Sequence, residues 1–221
     1  MAYRGDDIVA EGGGCELWSF HAELKKYFDA EVKYLMGPDA GDDKFGTILN
    51  RCLTWREDGL LWEPGPRHAE LVIAELGLVG AKSTAAPGLR ISAEEHEHAL
   101  VLEGPAAKQY RATAARCGFL SMDRWEILYP TKECLRGMSN PTTAHLRMLK
   151  RIGRFLIGLP RVGVLYTYQP NVIFLDAIGD SDHNQCPITR KSTNGGAVKL
   201  GRVAITACST TQSYHSFVFR W

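Results

Sequence analysis

The sequence predicts an α+β fold, and three observations carry that prediction. Apolar residues recur at helical spacing between residues 16 and 28 and in the patterns that follow Pro105, Asp123 and Pro141, whereas stretches within 47–64 and 164–208 read as strands. Strand-like segments lie on both sides of these later helices. The chain has 221 residues, 45% hydrophobic and 23% charged, so it can bury a core; wholesale disorder, collagen-like sequence and a fibrous coil are excluded.

Along the chain, MAYRGDDIVAEG reads as two short apolar segments around Gly5-Asp6-Asp7, residues whose backbones tolerate a tight hairpin turn. Leu17, Phe20, Leu24 and Phe28 then mark one face of an amphipathic helix. EVKYLM, residues 31–36, looks like a strand ended by Gly37-Pro38. TILNRCLTW and GLLWEP, separated by Arg56-Glu57-Asp58, read as a β-hairpin. Pro66 suits the first turn of a helix that runs to a C-terminal Gly77. Residues 78–104 show no clear period and are expected to form a linker.

Pro105 opens a helix through Cys117 and Leu120, and another pattern follows Asp123, interrupted by Pro130. A third helix follows Ser139-Asn140-Pro141, with Ser or Asn as the expected cap and Pro141 at the first helical position. Leu149, Ile152 and Leu156 share its apolar face, and Arg147, Arg151 and Arg154 the opposite one. GVLYTY, VIFLDA, GAVKL and VAITACS are strand-like, with a polar connection from Gly179 to Asn194.

Charge is uneven. From Lys132 onward twelve Lys and Arg face four acids, so a chain of net charge +1 divides into a C-terminal part at +8 and an N-terminal part at −7. A polyanion-binding half has this signature. The six cysteines are far apart, with no C-x-x-C pair, and read as reduced thiols. No apolar run approaches the ~20 residues of a membrane span, and the polar start does not resemble a signal peptide, so the expectation is an intracellular, cytoplasmic or nuclear protein without membrane contact.

Two acidic constellations could carry chemistry. Asp6 and Asp7 at a turn repel one another unless they share a cation, and hard Mg²⁺ prefers such oxygen ligands; the alternative is an ordinary Asp-rich turn. Asp176, Asp180 and Asp182 in FLDAIGDSDH follow a strand expected to be buried, a rigid seat for a divalent ion, or else serve as caps and turn residues. Glu94-Glu95-His96-Glu97-His98 lacks the H-E-x-x-H spacing and reads as a solvated acidic loop. No nucleophile elbow, P-loop or dinucleotide fingerprint is present. Arg147, Lys150, Arg151 and Arg154 could track phosphates, or form an ordinary solvated helix face.

Taken in order, these residues resemble the C-terminal part of the Pol polyprotein of copia-type LTR retrotransposons. MAYRGDDIVAEG looks like the polymerase motif with paired aspartates on a palm hairpin; DDKFGTILNRCLTW, GLLWEPGPRHAELVIAELGL and AKSTAAPG resemble the following palm and thumb segments. YRATAARCGFL, KECLRGMSNPTTAHLRMLKRIGRFLIG and GVLY resemble the connection, and GDSDHNQCPITRKSTNGGAV with ITACSTTQ the start of the ribonuclease H domain. The resemblance implies palm and thumb of a reverse transcriptase over residues 1–90, linker and helical connection over 91–160, and the beginning of a ribonuclease H-like sheet over 161–221. It also implies that Asp6, Asp7 and Asp180 are the catalytic, metal-binding carboxylates, with Asp182 at the next acidic position, Mg²⁺ as cofactor, and RNA–DNA hybrid as partner, alongside other Pol fragments.

The sequence departs from the family pattern at Arg4, where an aromatic is usual, at Trp125-Glu126 in place of Pro-Asp, and at His183 in place of Trp. The expectation is a truncated palm and thumb followed by an incomplete ribonuclease H-like sheet, inactive alone in both RNA-directed DNA synthesis and hybrid degradation. A non-catalytic nucleic-acid-binding remnant and a non-functional pseudogene product are the alternatives.

Overall fold

The computed structural model describes residues 2–4 and 7–213, with side chains from Ile8 onward. It is a mixed α+β structure with two antiparallel sheets and a separate two-stranded hairpin among the described residues. Strands β1 (Ala2–Arg4) and β2 (Asp7–Val9) pair antiparallel with Arg4 opposite Asp7. Helix α1 (Gly14–Leu24) follows and buries none of its residues, so the expected amphipathic helix forms but its apolar side remains largely uncovered.

The expected strand at residues 31–36 does not form. Residues 31–35 are irregular and Met36 makes one isolated bridge, to Asp43. Asp43 holds this segment in two ways: its carboxylate accepts the Leu35 N–H (2.9 Å), and its own N–H donates to the Leu35 carbonyl (2.8 Å). These local bonds take the place of a ladder. The hairpin at 47–64 is instead two hairpins. Leu49 and Asn50, at φ 48° and 61°, form a two-residue turn between β3 (Phe45–Ile48) and β4 (Arg51–Arg56), so the chain reverses inside the run TILNRCLTW. β5 (Gly59–Pro64) then pairs with β4 across Glu57-Asp58.

Helix α2 (Arg67–Glu75) ends through Gly77 at φ 65°, where the Gly77 N–H donates to Ala74 (3.0 Å) and the Leu78 N–H to Ile73 (2.9 Å). This double bond pattern satisfies the last carbonyls and needs the left-handed backbone that glycine adopts at no steric cost. It turns Leu76 and Leu78 onto the helix that contains Gly153, at a point where a side chain on Gly153 would lie 2.6 Å from Leu78 Cδ1.

The core sits among α2, α4 (Gly104–Leu120), α5 (Leu128–Arg136) and α6 (Thr143–Gly158). Val72, Ala114, Cys117, Ile127, Cys134, Leu149, Ile152 and Leu156 are completely buried in one cluster, and each buried Leu or Ile contributes about 1.5–3 kcal/mol. Pro130 does not interrupt its helix, because it falls in the first turn of α5, after a short 3-10 turn at Trp125–Ile127. The cap of α6 is Thr142, not Ser139 or Asn140, and Pro141 lies buried one residue before it.

Segment 78–104, expected as a linker, delivers Leu78 and Ile91 to the same cluster and carries the short helix α3 (Ala93–Glu97). Its course is antiparallel to α6. The Thr84 N–H donates to the Arg154 carbonyl (3.3 Å), the Ala86 carbonyl accepts Arg151 Nε (3.0 Å), Glu95 pairs with Arg147 (2.9 Å), and Val101 bridges Thr142.

Strand β6 (Val164–Thr167) joins β5, giving the sheet order β3-β4-β5-β6. Arg51 fastens this sheet to the end of α4. Its guanidinium meets the Asp123 carboxylate at 2.9 Å and lies over the Phe119 ring, while Trp62 Nε1 donates to the same carboxylate (3.2 Å). The second sheet is a meander of β7 (Leu175–Ser181), β8 (Thr193–Leu200) and β9 (Val203–Thr211).

Candidate functional site

β7 is an edge strand, paired on one side with β8, and every residue in it is exposed. The expectation of a buried strand carrying the acids is therefore corrected: Asp180 lies inside an exposed strand, and the connecting loop is residues 182–192. Asp180 pairs in register with Gly195, which faces Ser209, and the row beside it places Thr193 opposite Thr211. Because alternate residues share a face, Asp180 and Asp182 project to the same side. The Ser181 N–H donates to Asp180 Oδ1 (2.8 Å) and the Thr193 N–H to Asp182 Oδ1 (2.7 Å), and the second oxygen of each carboxylate makes no hydrogen bond among the described residues.

Both aspartates line an open cleft of about 290 Å³ between the meander and the segment at the start of α5, together with Trp125, Tyr129, Thr193 and Ser209. Lys132 fixes the two walls. Its ammonium donates to Thr193 Oγ1 (2.9 Å) and Thr211 Oγ1 (3.3 Å), and pairs with Glu133 (2.7 Å). One turn further, Arg136 donates to Cys186 Sγ from both terminal nitrogens, at 3.5 Å each. Burial works against a Cys186 thiolate, but hydrogen bonds from Thr189, side chain and backbone, and from Arg136 outweigh it and bring the thiol down to about 7. Burial pushes Cys117 up to about 12 and Cys134 upward as well. All six cysteines are free.

Of the residues singled out by sequence, Asp180 and Asp182 are brought together. Asp176 is on the same strand, opposite Lys199 and two rows beyond Ile178. Asp6 lies outside the described residues, and of Asp7 only the backbone is described, paired across the hairpin with Arg4. The basic face of α6 is divided: Arg147 and Arg151 are engaged by Glu95 and the Ala86 carbonyl, whereas Lys150 and Arg154 are exposed and their side chains meet no partner among the described residues. His183 is exposed beside Asn184. Lys132, Arg136 and Cys186 were not legible as a group, since Arg136 and Cys186 are 50 residues apart.

Among the described residues no helix is long and apolar enough to cross a membrane, and no three His, Cys, Asp or Glu residues are placed so that together they could hold a metal ion.

Three curated plant proteins are similar in sequence. The retrovirus-related Pol polyprotein from transposon RE1 of Arabidopsis thaliana is 34% identical over 104 residues, which is 47% of this chain and 7% of the polyprotein. The corresponding polyprotein from transposon RE2 is 31% identical over 108 residues, 49% of this chain and again 7% of the polyprotein. This chain is distantly homologous to plant LTR-retrotransposon Pol polyproteins. An uncharacterized mitochondrial protein of the same plant is 26% identical over 135 residues, 61% of this chain and 55% of that protein. The chain thus spans a small part of the Pol polyproteins and about half of the mitochondrial protein. No family model matches the chain, and no solved structure matches it.

Proposed function

We propose that the chain derives from a copia-type Pol polyprotein, from the palm, thumb and connection of its reverse transcriptase and the start of its ribonuclease H domain, and that it binds RNA–DNA hybrid or duplex without itself synthesising or cleaving nucleic acid. The observation that carries this reading is the similarity to two retrotransposon Pol polyproteins. Lys150 and Arg154, exposed on one side of α6, supply cations for phosphate contact. Asp180 and Asp182 each keep one carboxylate oxygen free at a cleft, a hard donor set that fits one hydrated Mg²⁺. Paired ions, as two-metal phosphodiester chemistry uses, call for more ligands than this. Asp6 and Asp7 are the proposed polymerase-derived pair.

Anisotropy of a labelled RNA–DNA hybrid tests the reading. Two phosphate contacts predict a loss of about tenfold in affinity between about 50 and about 200 mM salt, and replacing Lys150 and Arg154 by Glu weakens binding further at low salt. Salt-insensitive binding, or none, overturns hybrid binding. Mg²⁺-dependent primer extension or hybrid cleavage by the purified chain overturns the non-catalytic part.

A further inference from the structure

The acidic and histidine-rich tract Glu94-Glu95-His96-Glu97-His98 is a structured element: it forms most of α3, in the strap beside α6, and sets the Glu95 carboxylate against Arg147 of the basic face. We propose that residues 92–101 form an autoinhibitory strap that is latched to α6 by His96 and His145 and released by acid, and that release frees Arg147 for a polyanionic phosphate backbone. This regulation rests on the hybrid-binding reading above and deepens it.

The latch is built on one hydrogen bond. The Thr142 backbone N–H donates to His145 Nδ1 (3.2 Å), and Thr142 Oγ1 lies 2.9 Å from the same nitrogen. Because a backbone N–H can only donate, Nδ1 presents a lone pair and the ring proton is on Nε2. A second proton must enter at Nδ1. It sets N–H against the Thr142 N–H, so that this bond is lost and Thr142 Oγ1 is left to accept from the ring, and it places a charge beside His96, whose ring centroid is 5.4 Å away. Thr142 also holds the far end of the strap: Val101 bridges it, and the Leu100 carbonyl accepts the neighbouring Thr143 N–H (2.9 Å).

The groups around the pair come from four helices. α3 contributes Glu95, which is paired with Arg147 of α6; α4 contributes Tyr110, its ring 6.4 Å from His145; α5 contributes Glu133 and Arg136. Glu133 would favour a charged imidazole, but its two oxygens already meet Lys132 (2.7 Å) and Arg136 (2.9 Å). Burial is the main influence on both histidines and holds each below its ordinary 6.5, with Arg136 acting in the same direction; Glu95 opposes it at His96, and Glu133 opposes it at both rings. The latched form therefore prefers neutral rings, and the released form binds more protons. Latching is at full strength above pH 6.5 and is lost as pH falls below it. Ile91, buried in the core just before α3, stays as the fixed end.

His145→Gln tests this directly, since a Gln three residues after the capping Thr can accept the Thr142 N–H without titrating. The Thr142 amide resonance and the imidazole resonances are followed in nucleic-acid-free protein from about pH 7.5 to about pH 5.5, and hybrid affinity is measured at both ends. The expected result is a shift of the Thr142 amide together with strap resonances. Hybrid affinity rises by roughly threefold at the acid end beyond any rise in His145→Gln, and Glu95→Gln gives the same gain at neutral pH. Hybrid binding with the same pH response in wild type and His145→Gln overturns the latch and leaves the binding reading intact, as does a Thr142 amide that does not move. A moving amide and strap with no hybrid binding at either pH overturns the binding reading and keeps the latch.

Discussion

Helix α6 and strand β7 lie within twenty residues of one another in the chain and differ in almost every physical respect. α6 buries Ala144, Met148, Leu149, Ile152, Gly153, Phe155 and Leu156, whereas β7 buries nothing and exposes Leu175 and Ile178. The helix is held by packing against α2 and α5; the strand is held by its ladder to β8. Close packing of apolar side chains makes a cooperative unit, while a sheet with exposed faces depends on whatever touches it. Here the contacts include the polar side chains of α5, with Lys132 on Thr193 and Thr211 and Arg136 on the 182–192 loop, and Gln169, which donates to the Leu200 carbonyl and accepts the Arg202 N–H. The helical body is the scaffold, and the acid-bearing meander is an attachment to it.

The largest expected effect breaks this comparison if it is absent. Leu149→Ala should destabilise the chain by about 2–5 kcal/mol through cavity formation, against less than about 0.5 kcal/mol for Ile178→Ala at an exposed site, both read by urea unfolding. Equal effects would mean that β7 is as integral as α6. A smaller effect sharpens it: Lys132→Met should cost about 1.5 kcal/mol by removing charged hydrogen bonds, and amide exchange in β8 and β9 should quicken while α6 stays protected. The smallest separates the two regions chemically. Iodoacetamide at about pH 7 should modify Cys186 well before Cys117 and Cys134, and Arg136→Ala should slow that reaction by roughly threefold, because the thiolate loses its charged donor. Mass spectrometry of the alkylated peptides gives the order, and labelling of Cys117 first would contradict the division.

Much of the helical body was legible. The 3.6-residue period placed Leu149, Ile152 and Leu156 on a buried face, Pro66 and Gly77 bracketed α2, and the pairing partners GAVKL and VAITACS appeared as β8 and β9. Errors arose where a particular bond or backbone conformation overrode what the composition of the segment suggested. Residues 31–36 have strand composition but no ladder, because Asp43 satisfies them instead. The run TILNRCLTW hides a turn, because Leu49 takes a positive φ that nothing in a leucine announces. Residues 78–104 have no period because their contacts with α6 are made by individual residues at irregular intervals.

The two aspartates were legible as a pair, and their shared direction follows from the strand alternation; that their strand is exposed, and that Trp125 and Tyr129 face them, came from the packing of α5. Periodicity and spacing, which are local properties of a chain, were enough to place α2, α4, α6, β8 and β9, but not the bounds of β7 or the place of Asp180 within it. Only the tertiary structure decided which cations are free and which are engaged, which thiol is acidic, and that an acidic tract lies along a basic helix. Charge and hydrogen bonding act through space, and the partners here stand some 50 residues apart.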